Sequence, residues 1–331
     1  MSTSHQHTNG NTMNNKLLSF ISVVIPIYNE EENLRELNDR IVKVMKQYKS
    51  YEILYVNDGS SDYSKDIITA FCVSNTSIKL LSLSRNFGHQ IAITAGLEYS
   101  SGNVVVVMDG DLQDPPEVLP TFFSKILEGY DVVYAIRKSR KEGLFKKICY
   151  LSFYRVLNII SDIKIPLDSG DFSVMRRTVV NKLKLMPERN RFIRGMRAWL
   201  GYKQIGVEYD RDSRFAGKSK YSFRMLIKLA YDGLISSSSK PLRFVLTFGV
   251  LVTVTSFCAI VSIIYLKLFV GIKLEGWTSM IIVSLLMGGI QLIVSGIIGE
   301  YIGRIFDESK KRPNFLIENT INIKSKEEDG L

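Results

Sequence analysis

The chain has 331 residues, enough for one large domain or two small ones, and a formal net charge of +10. Its three cysteines (Cys72, Cys149, Cys258) are scattered, and its three histidines (His5, His7, His89) show no metal-ligand spacing, which excludes a disulfide framework and a zinc-type site. The positive charge fits a nucleic-acid binder, but it also fits a membrane protein facing an anionic leaflet; the apolar stretches near the C-terminus favour the second, and no nucleic-acid partner is expected.

Residues 1–19 are polar and rich in Ser, Thr and Asn, and read as a disordered tail without a secretory leader. Ser22 to Ile27 reads as a strand that runs into Tyr28, Asn29 and Glu30, with Pro26 near its exit. Leu34, Leu37, Ile41, Val44 and Met45 then recur at helical spacing across Glu30–Gln47. A second strand, Tyr51–Val56, ends in Asn57-Asp58-Gly59-Ser60-Ser61-Asp62, and a helix follows over Asp62–Cys72. Ile78–Leu83 is a third strand, and Ser84-Arg85-Asn86-Phe87-Gly88-His89-Gln90 opens a helix that runs to about Tyr99. The run Val104 to Val107 is a buried strand that ends abruptly in Met108-Asp109-Gly110-Asp111-Leu112-Gln113-Asp114-Pro115-Pro116. A helix around Val118–Leu127 and a strand from Asp131 to Arg137 complete the alternation. Strand–helix repetition of this kind predicts an α/β fold, with a mostly parallel sheet covered by helices.

No G-x-G-x-x-G follows the first strand and no P-loop motif occurs, so a dinucleotide fold of the usual kind is not expected. Polar clusters instead sit at four strand ends: Asn29 and Glu30, Asn57 and Asp58, Arg85 and Asn86, Asp109 and Asp111. Turn chemistry explains any one of them. Four along one edge of a parallel sheet point to a ligand site. Asp109 and Asp111, two apart, share a face if the strand end stays extended, and Gly110 lets the backbone approach a ligand. As hard oxygen donors beside a diphosphate they suit Mg²⁺ or Mn²⁺; the plain alternative is a solvated turn. Arg137 in Arg137-Lys138-Ser139-Arg140-Lys141, Arg194, and the basic loop Arg211–Tyr221 offer phosphate-compatible charge, although composition alone favours a solvated charged face.

Two stretches are apolar and long enough to span a bilayer, at about 244–266 and 277–298. Lys240 and Arg243 precede the first and Arg304, Lys310, Lys311 and Arg312 follow the second, which places both termini in the cytoplasm. Two segments, Leu144–Leu157 and Tyr221–Ile235, mix bulky apolar residues with bases and read either as interfacial amphipathic helices or as ordinary packing. The expected organisation is a tail at 1–19, a catalytic domain at 20–220, a juxtamembrane amphipathic segment at 221–242, two transmembrane helices within 243–303, and a cytoplasmic tail at 304–331.

Val24-Ile25-Pro26-Ile27-Tyr28-Asn29-Glu30, Val56-Asn57-Asp58-Gly59-Ser60 and Asp109-Gly110-Asp111 closely resemble the motifs of family 2 glycosyltransferases with the GT-A fold. Ser84-Arg85-Asn86-Phe87-Gly88 and Asp111-Leu112-Gln113-Asp114-Pro115 narrow the resemblance to the polyisoprenyl-phosphate branch, which includes bactoprenol glucosyltransferases and dolichol-phosphate mannose synthase-like enzymes. It extends from Ser22 to Pro313. The resemblance implies a nucleotide-sugar donor, UDP-linked by analogy, a divalent metal, a polyisoprenyl-phosphate acceptor and an inverting transfer at the cytoplasmic membrane. It also implies that Pro26, Tyr28, Glu30, Asn57 and Asp58 line the nucleoside side, and that Asp109 and Asp111 hold the metal with Gln113 beside them. Arg214, Lys218 and Tyr221 match a basic motif near the diphosphate. Asp171, in Gly170-Asp171-Phe172, matches a segment on the acceptor side and is the candidate base. A phosphate acceptor is already anionic near neutral pH, so Asp171 has an alternative role in orientation. A homotetramer is expected from the family, and the glycine-rich second span suits close helix packing. Processive polysaccharide synthases share the fold, but their Q-x-x-R-W motif is absent. A non-catalytic nucleotide-sugar or lipid-phosphate scaffold is the rival from another class.

Overall fold

Ile21–Ile27 (β1) and Val104–Val107 (β4) are buried at every residue, and Tyr51–Asn57 (β2) at all but its first. The reason lies in the two faces of the sheet. Ile21, Val23, Ile25 and Ile27 of β1 point into one apolar layer, and Val24 points into the other. Strand side chains alternate in direction, so a strand covered on both faces must be apolar throughout. The computed structural model describes residues 17–137, 169–189, 191–210, 240–265, 269 and 276–323. Arg214, Lys218, Tyr221 and the two expected amphipathic segments lie outside the described residues, as does the side chain of Arg137.

The first layer holds Leu34–Met45 (α1), Ser64–Ser74 (α2) and Leu119–Leu127 (α4); the second holds His89–Tyr99 (α3), Arg177–Lys184 (α5) and Ile193–Trp199 (α6). All five apolar positions that predict α1 are buried. Each such aliphatic side chain contributes about 1.5–3 kcal/mol on burial, more than the weak propensity differences along the helix. The remaining strands are Ile78–Leu83 (β3), Val132–Arg137 (β5), Ser169–Arg176 (β6), Gln204–Tyr209 (β7) and Ile317–Ile321 (β8). They form one eight-stranded sheet in the order β7-β5-β6-β4-β1-β2-β3-β8. Only β6 and β8 run against the others, as the mostly parallel expectation requires.

The reversed strand β6 decides the geometry of the site. Because it is antiparallel to β4, its N-terminal end lies at the edge where β4 ends. Val107 pairs with Ser173, and continuing that register by two residues sets Asp109 opposite Asp171. Two acids 62 positions apart in the chain therefore meet.

The expected C-terminal tail is partly structured. Its β8 pairs antiparallel with β3, the Ser84 amide donates to the Leu316 carbonyl (2.9 Å), and the Asn322 side chain donates to the Cys72 and Ile78 carbonyls (2.8 and 2.9 Å). This segment covers what would otherwise be an open sheet edge. The described residues fall into two compact units, the sheet with its helices and a second unit holding Lys240–Tyr265 (α7) and Trp277–Ser309 (α8). Among the described residues one helix, Leu286–Ser309, is long and apolar enough to cross a membrane, and α7 contributes a shorter apolar stretch, Val245–Ala259. Glu300 and Arg304, one turn apart on α8, pair at 3.3 Å.

Candidate active site

The loops that leave β1 and β2 are tied to each other. The Asn29 amide donates to the Ser60 hydroxyl (3.1 Å), the Ser61 amide donates back to Asn29 Oδ1 (2.8 Å), and the Glu30 amide donates to the Ser64 hydroxyl (3.0 Å). Glu30 Oε2 accepts from the Asn33 side chain at 2.7 Å, and Asn57 Oδ1 accepts from the Ser60 amide at 3.2 Å. Pro26 is buried within β1, while Tyr28 just beyond it is 42% exposed. The carboxyl ends of β1 and β2 thus present Tyr28 and Glu30 on a hydrogen-bonded platform.

Asp58 is buried, and both of its oxygens accept backbone amides: Oδ1 from Phe87 (2.7 Å) and Oδ2 from Gly88 (2.9 Å). Burial pushes its carboxyl above the usual range, and the two amides pull it part of the way back. The sequence resemblance assigns Asp58 to the nucleoside. The structure gives it a second task, anchoring the loop that starts α3. Gly59 sits at φ +67° with the Arg85–Asn86 backbone where a Cβ would lie (2.5–2.6 Å), so this contact needs glycine.

The loop after β4 is strained where it turns. Leu112 holds φ +59° although it is buried and carries a side chain. Asp111 Oδ1 accepts from the Gln113 amide at 3.2 Å, which folds the loop back on itself. Asp114 is buried and accepts from the hydroxyl of Tyr209, the last residue of β7, so the acidic loop is fixed to the strand that precedes the Arg211–Tyr221 segment.

Asp109 and Asp171 face each other across His89, whose Nε2 lies 3.4 Å from Asp109 Oδ1 and 3.4 Å from Asp171 Oδ2. Asp171 is nearly sealed from solvent. It accepts a two-pronged pair from Arg194 (Nε to Oδ1 2.7 Å, Nη2 to Oδ2 2.9 Å) and a third bond from the Gln90 side chain (3.0 Å). Burial alone would raise its carboxyl. Arg194 and His89 outweigh burial and hold it well below the usual carboxylate range. Burial also acts to lower His89, but the Asp109 and Asp171 carboxylates prevail and push it up to about 9. Arg197 is fully buried behind the pair, 5.2 Å from the Tyr134 ring; burial lowers it to about 10.

Asp109 is partly exposed and differs from the buried acids. At the opposite edge of the sheet Glu52 is fully buried, and it accepts from the Ser22 hydroxyl (2.5 Å), the Ser101 amide (2.7 Å) and Lys79 (2.5 Å). Asp109 Oδ1 is buried with no hydrogen-bond donor among the described residues. Burial raises its carboxyl; His89 counteracts this, while Asp171 and Asp111 add to it. A buried carboxylate oxygen that accepts no hydrogen bond from the described residues, paired with His89 at 3.4 Å and crowded by two further carboxylates, is a fit place for a cation. Among the described residues no cluster of three or more His, Cys, Asp or Glu forms a complete protein-only metal cage. Two carboxylates completed by substrate phosphates match the way Mg²⁺ is usually bound.

Residues 22–184 match the model of glycosyl transferase family 2. The chain is 47% identical over 307 residues to a Bacillus subtilis protein described as an uncharacterized glycosyltransferase, YkcC, covering 92% of this chain and 95% of that one. The chain belongs to glycosyl transferase family 2. It is also 43% identical over 302 residues to the uncharacterized glycosyltransferase sll0501 of Synechocystis, covering 90% and 95% of the two chains. A bactoprenol glucosyl transferase of Shigella phage SfV is 42% identical over 302 residues, covering 90% and 98%. As a family 2 glycosyltransferase the chain has its acids where open α/β sheets bind ligands, outside the carboxyl ends of the parallel strands.

The structure brings Asp109 and Asp171 together with Arg194, and places Asp111 and Gln113 in the same loop as Asp109. Pro26, Tyr28, Glu30, Asn57 and Asp58 lie at the ends of the neighbouring strands β1 and β2. His89 and Gln90 are absent from the residues that sequence reasoning singles out. They show no ligand spacing, and their only mark in the chain is their place just after Gly88, where a helix begins beside a strand end.

Proposed function

We propose that this glycosyltransferase is a metal-dependent, inverting enzyme. It moves a sugar from a nucleotide diphosphate-sugar, with UDP favoured, to a polyisoprenyl phosphate such as undecaprenyl phosphate. The product is a lipid-linked sugar for cell-envelope glycans, made at the cytoplasmic face of the inner membrane. The observation that carries this reading is the meeting of Asp109 with the Asp171–Arg194 pair at one sheet edge. It supports a donor side and an acceptor side in contact. The name of the phage relative supports the acceptor class.

In this reading Pro26, Tyr28, Glu30, Asn57, Asp58 and Gln113 receive the nucleotide-sugar. Asp109 and Asp111 would hold Mg²⁺ or Mn²⁺, which when bound supplies positive charge against the departing diphosphate. Arg137, Arg194, Arg214, Lys218 and Tyr221 serve the phosphates of donor and acceptor. An oxygen of the lipid phosphate attacks the anomeric carbon from the face opposite the nucleoside diphosphate, and the bond to that leaving group breaks. Asp171 is too acidic to take up a proton efficiently near neutral pH, and an anionic phosphate has little need of a base. Its role is to hold Arg194, and with it the acceptor phosphate, in line. The domain plan follows: residues 20–220 with β8 as the catalytic unit, 221–242 as an interfacial segment, α7 and α8 as two spans with both termini cytoplasmic, and a homotetramer as the assembly.

Calorimetric titration with UDP and GDP tests the donor side. UDP is expected to bind at least about tenfold more tightly with Mg²⁺ or Mn²⁺ than in EDTA, a difference of about 1.4 kcal/mol. Equal UDP binding in EDTA contradicts the metal assignment, and a preference for GDP contradicts the assigned base.

A further inference from the structure

We propose that Gln90 is a positioning residue whose side-chain amide clamps Asp171 to the first turn of α6 and so sets the Asp171–Arg194 pair. The inference rests on the reading of that pair as the acceptor-phosphate side of the site. Gln90 Nε2 donates to Asp171 Oδ2 at 3.0 Å, and Gln90 Oε1 accepts from the Ile193 amide at 2.9 Å. The amide cannot be turned over. Its oxygen would then face a carboxylate and its NH₂ would face an N–H. Both ends of this one side chain are therefore used, and in a single orientation.

Each end meets a separate need. Ile193 is the first residue of α6, where a backbone N–H has no partner within the helix, and the preceding Phe192 offers no side-chain cap. Gln90 supplies the missing acceptor from α3. The next residue is Arg194, so Gln90 fixes the backbone one position from the guanidinium and, at its other end, the carboxylate that guanidinium grips. Gln90 is itself held. Its carbonyl accepts from Thr94 Oγ1 at 2.8 Å, and the turn before it is pinned by the Phe87 and Gly88 amides on Asp58, with Gly88 at φ +101°. The clamp joins elements 81 and 103 residues apart in the chain. Arg194 also bridges β6 and α6 at this point, through a long side chain that is costly in entropy to hold in one rotamer.

The test uses the full chain in nanodiscs, with undecaprenyl phosphate binding read by native mass spectrometry, UDP binding by calorimetry, and the thermal midpoint. Gln90→Met keeps the length of the side chain and removes both hydrogen bonds. It is expected to weaken undecaprenyl phosphate binding about 10- to 100-fold, the scale of one lost hydrogen bond to a charged group, and to leave UDP affinity within about twofold. Gln90→Glu keeps an acceptor for the Ile193 amide, and so the cap, but sets a second carboxylate against Asp171; its loss is expected to exceed that of Gln90→Met. Undecaprenyl phosphate binding at wild-type strength in both variants overturns the clamp, as does an equal loss of UDP and lipid binding with a lowered midpoint, which marks a purely structural residue. Arg194→Ala, measured alongside, separates the two levels. If it too binds undecaprenyl phosphate normally, the acceptor-site reading fails and the clamp falls with it. If it alone is impaired, the site stands and the clamp does not.

Discussion

Conversion of Asp109 to asparagine is expected to cut sugar transfer about 10²- to 10³-fold while leaving the unfolding midpoint at or above that of the wild type. The two effects have one cause. Asp109 Oδ1 is buried without a hydrogen-bond donor among the described residues, and burial together with Asp171 and Asp111 raises its carboxyl despite His89. A folded state that raises an acid's pKa disfavours its ionised form, so above that value the charge lowers stability. Asparagine removes the charge and nearly keeps the shape. In the proposed mechanism what it loses is an anionic oxygen ligand, and with it the cation that would be set against the leaving diphosphate. Rates of labelled-sugar transfer and a thermal melt of the same preparation check the prediction. A marked fall in the midpoint, with activity retained, places Asp109 among structural acids such as Glu52.

The Arg194→Ala variant should behave in the opposite way, losing stability as well as function. Its removal leaves Asp171 almost fully buried, with Gln90 and His89 still in contact with it. Breaking a buried pair by deleting one partner costs about 3–5 kcal/mol, and the remaining contacts place the cost toward the lower end of that range. The pH dependence has a definite sign. The folded state holds Asp171 below its unfolded value, so the contribution of the pair is complete above the unfolded carboxyl pKa of about 3.9 and is lost as pH falls through the lower folded value. The deficit of the variant is therefore constant across neutral pH and shrinks in acid. Urea titrations at several pH values measure it. A deficit below about 1 kcal/mol at pH 7 means that the pair behaves like an exposed one and does not organise the site.

Much of the catalytic unit is legible in the chain. The apolar runs of β1, β2 and β4, the period of α1 and the polar strand ends follow from simple patterning, because a parallel sheet covered on both faces leaves those residues no other arrangement. The reversed strand β6 does not. Ser169–Arg176 carries Gly170, Asp171 and Ser173 and lacks a strand's alternation, and only its pairing between β4 and β5 makes it one. That single reversal brings Asp171 beside Asp109, so their meeting follows from topology and not from local sequence. β8 was hidden for a different reason. It begins eight residues after the end of α8, in a polar stretch that reads as a tail, and its five residues are too few to stand out. His89 and Gln90 escaped notice because their importance is in what they touch across the fold: two carboxylates for one, a carboxylate and a helix end for the other.

The most direct test of the account is a transfer assay in liposomes with undecaprenyl phosphate as acceptor, a panel of UDP- and GDP-sugars as donors, and Mg²⁺ or Mn²⁺. The account predicts a glycolipid from one UDP-sugar, absent when EDTA is added and absent with Asp111→Ala. No lipid-linked product from any donor, or a product that persists in EDTA and in the variant, would contradict it.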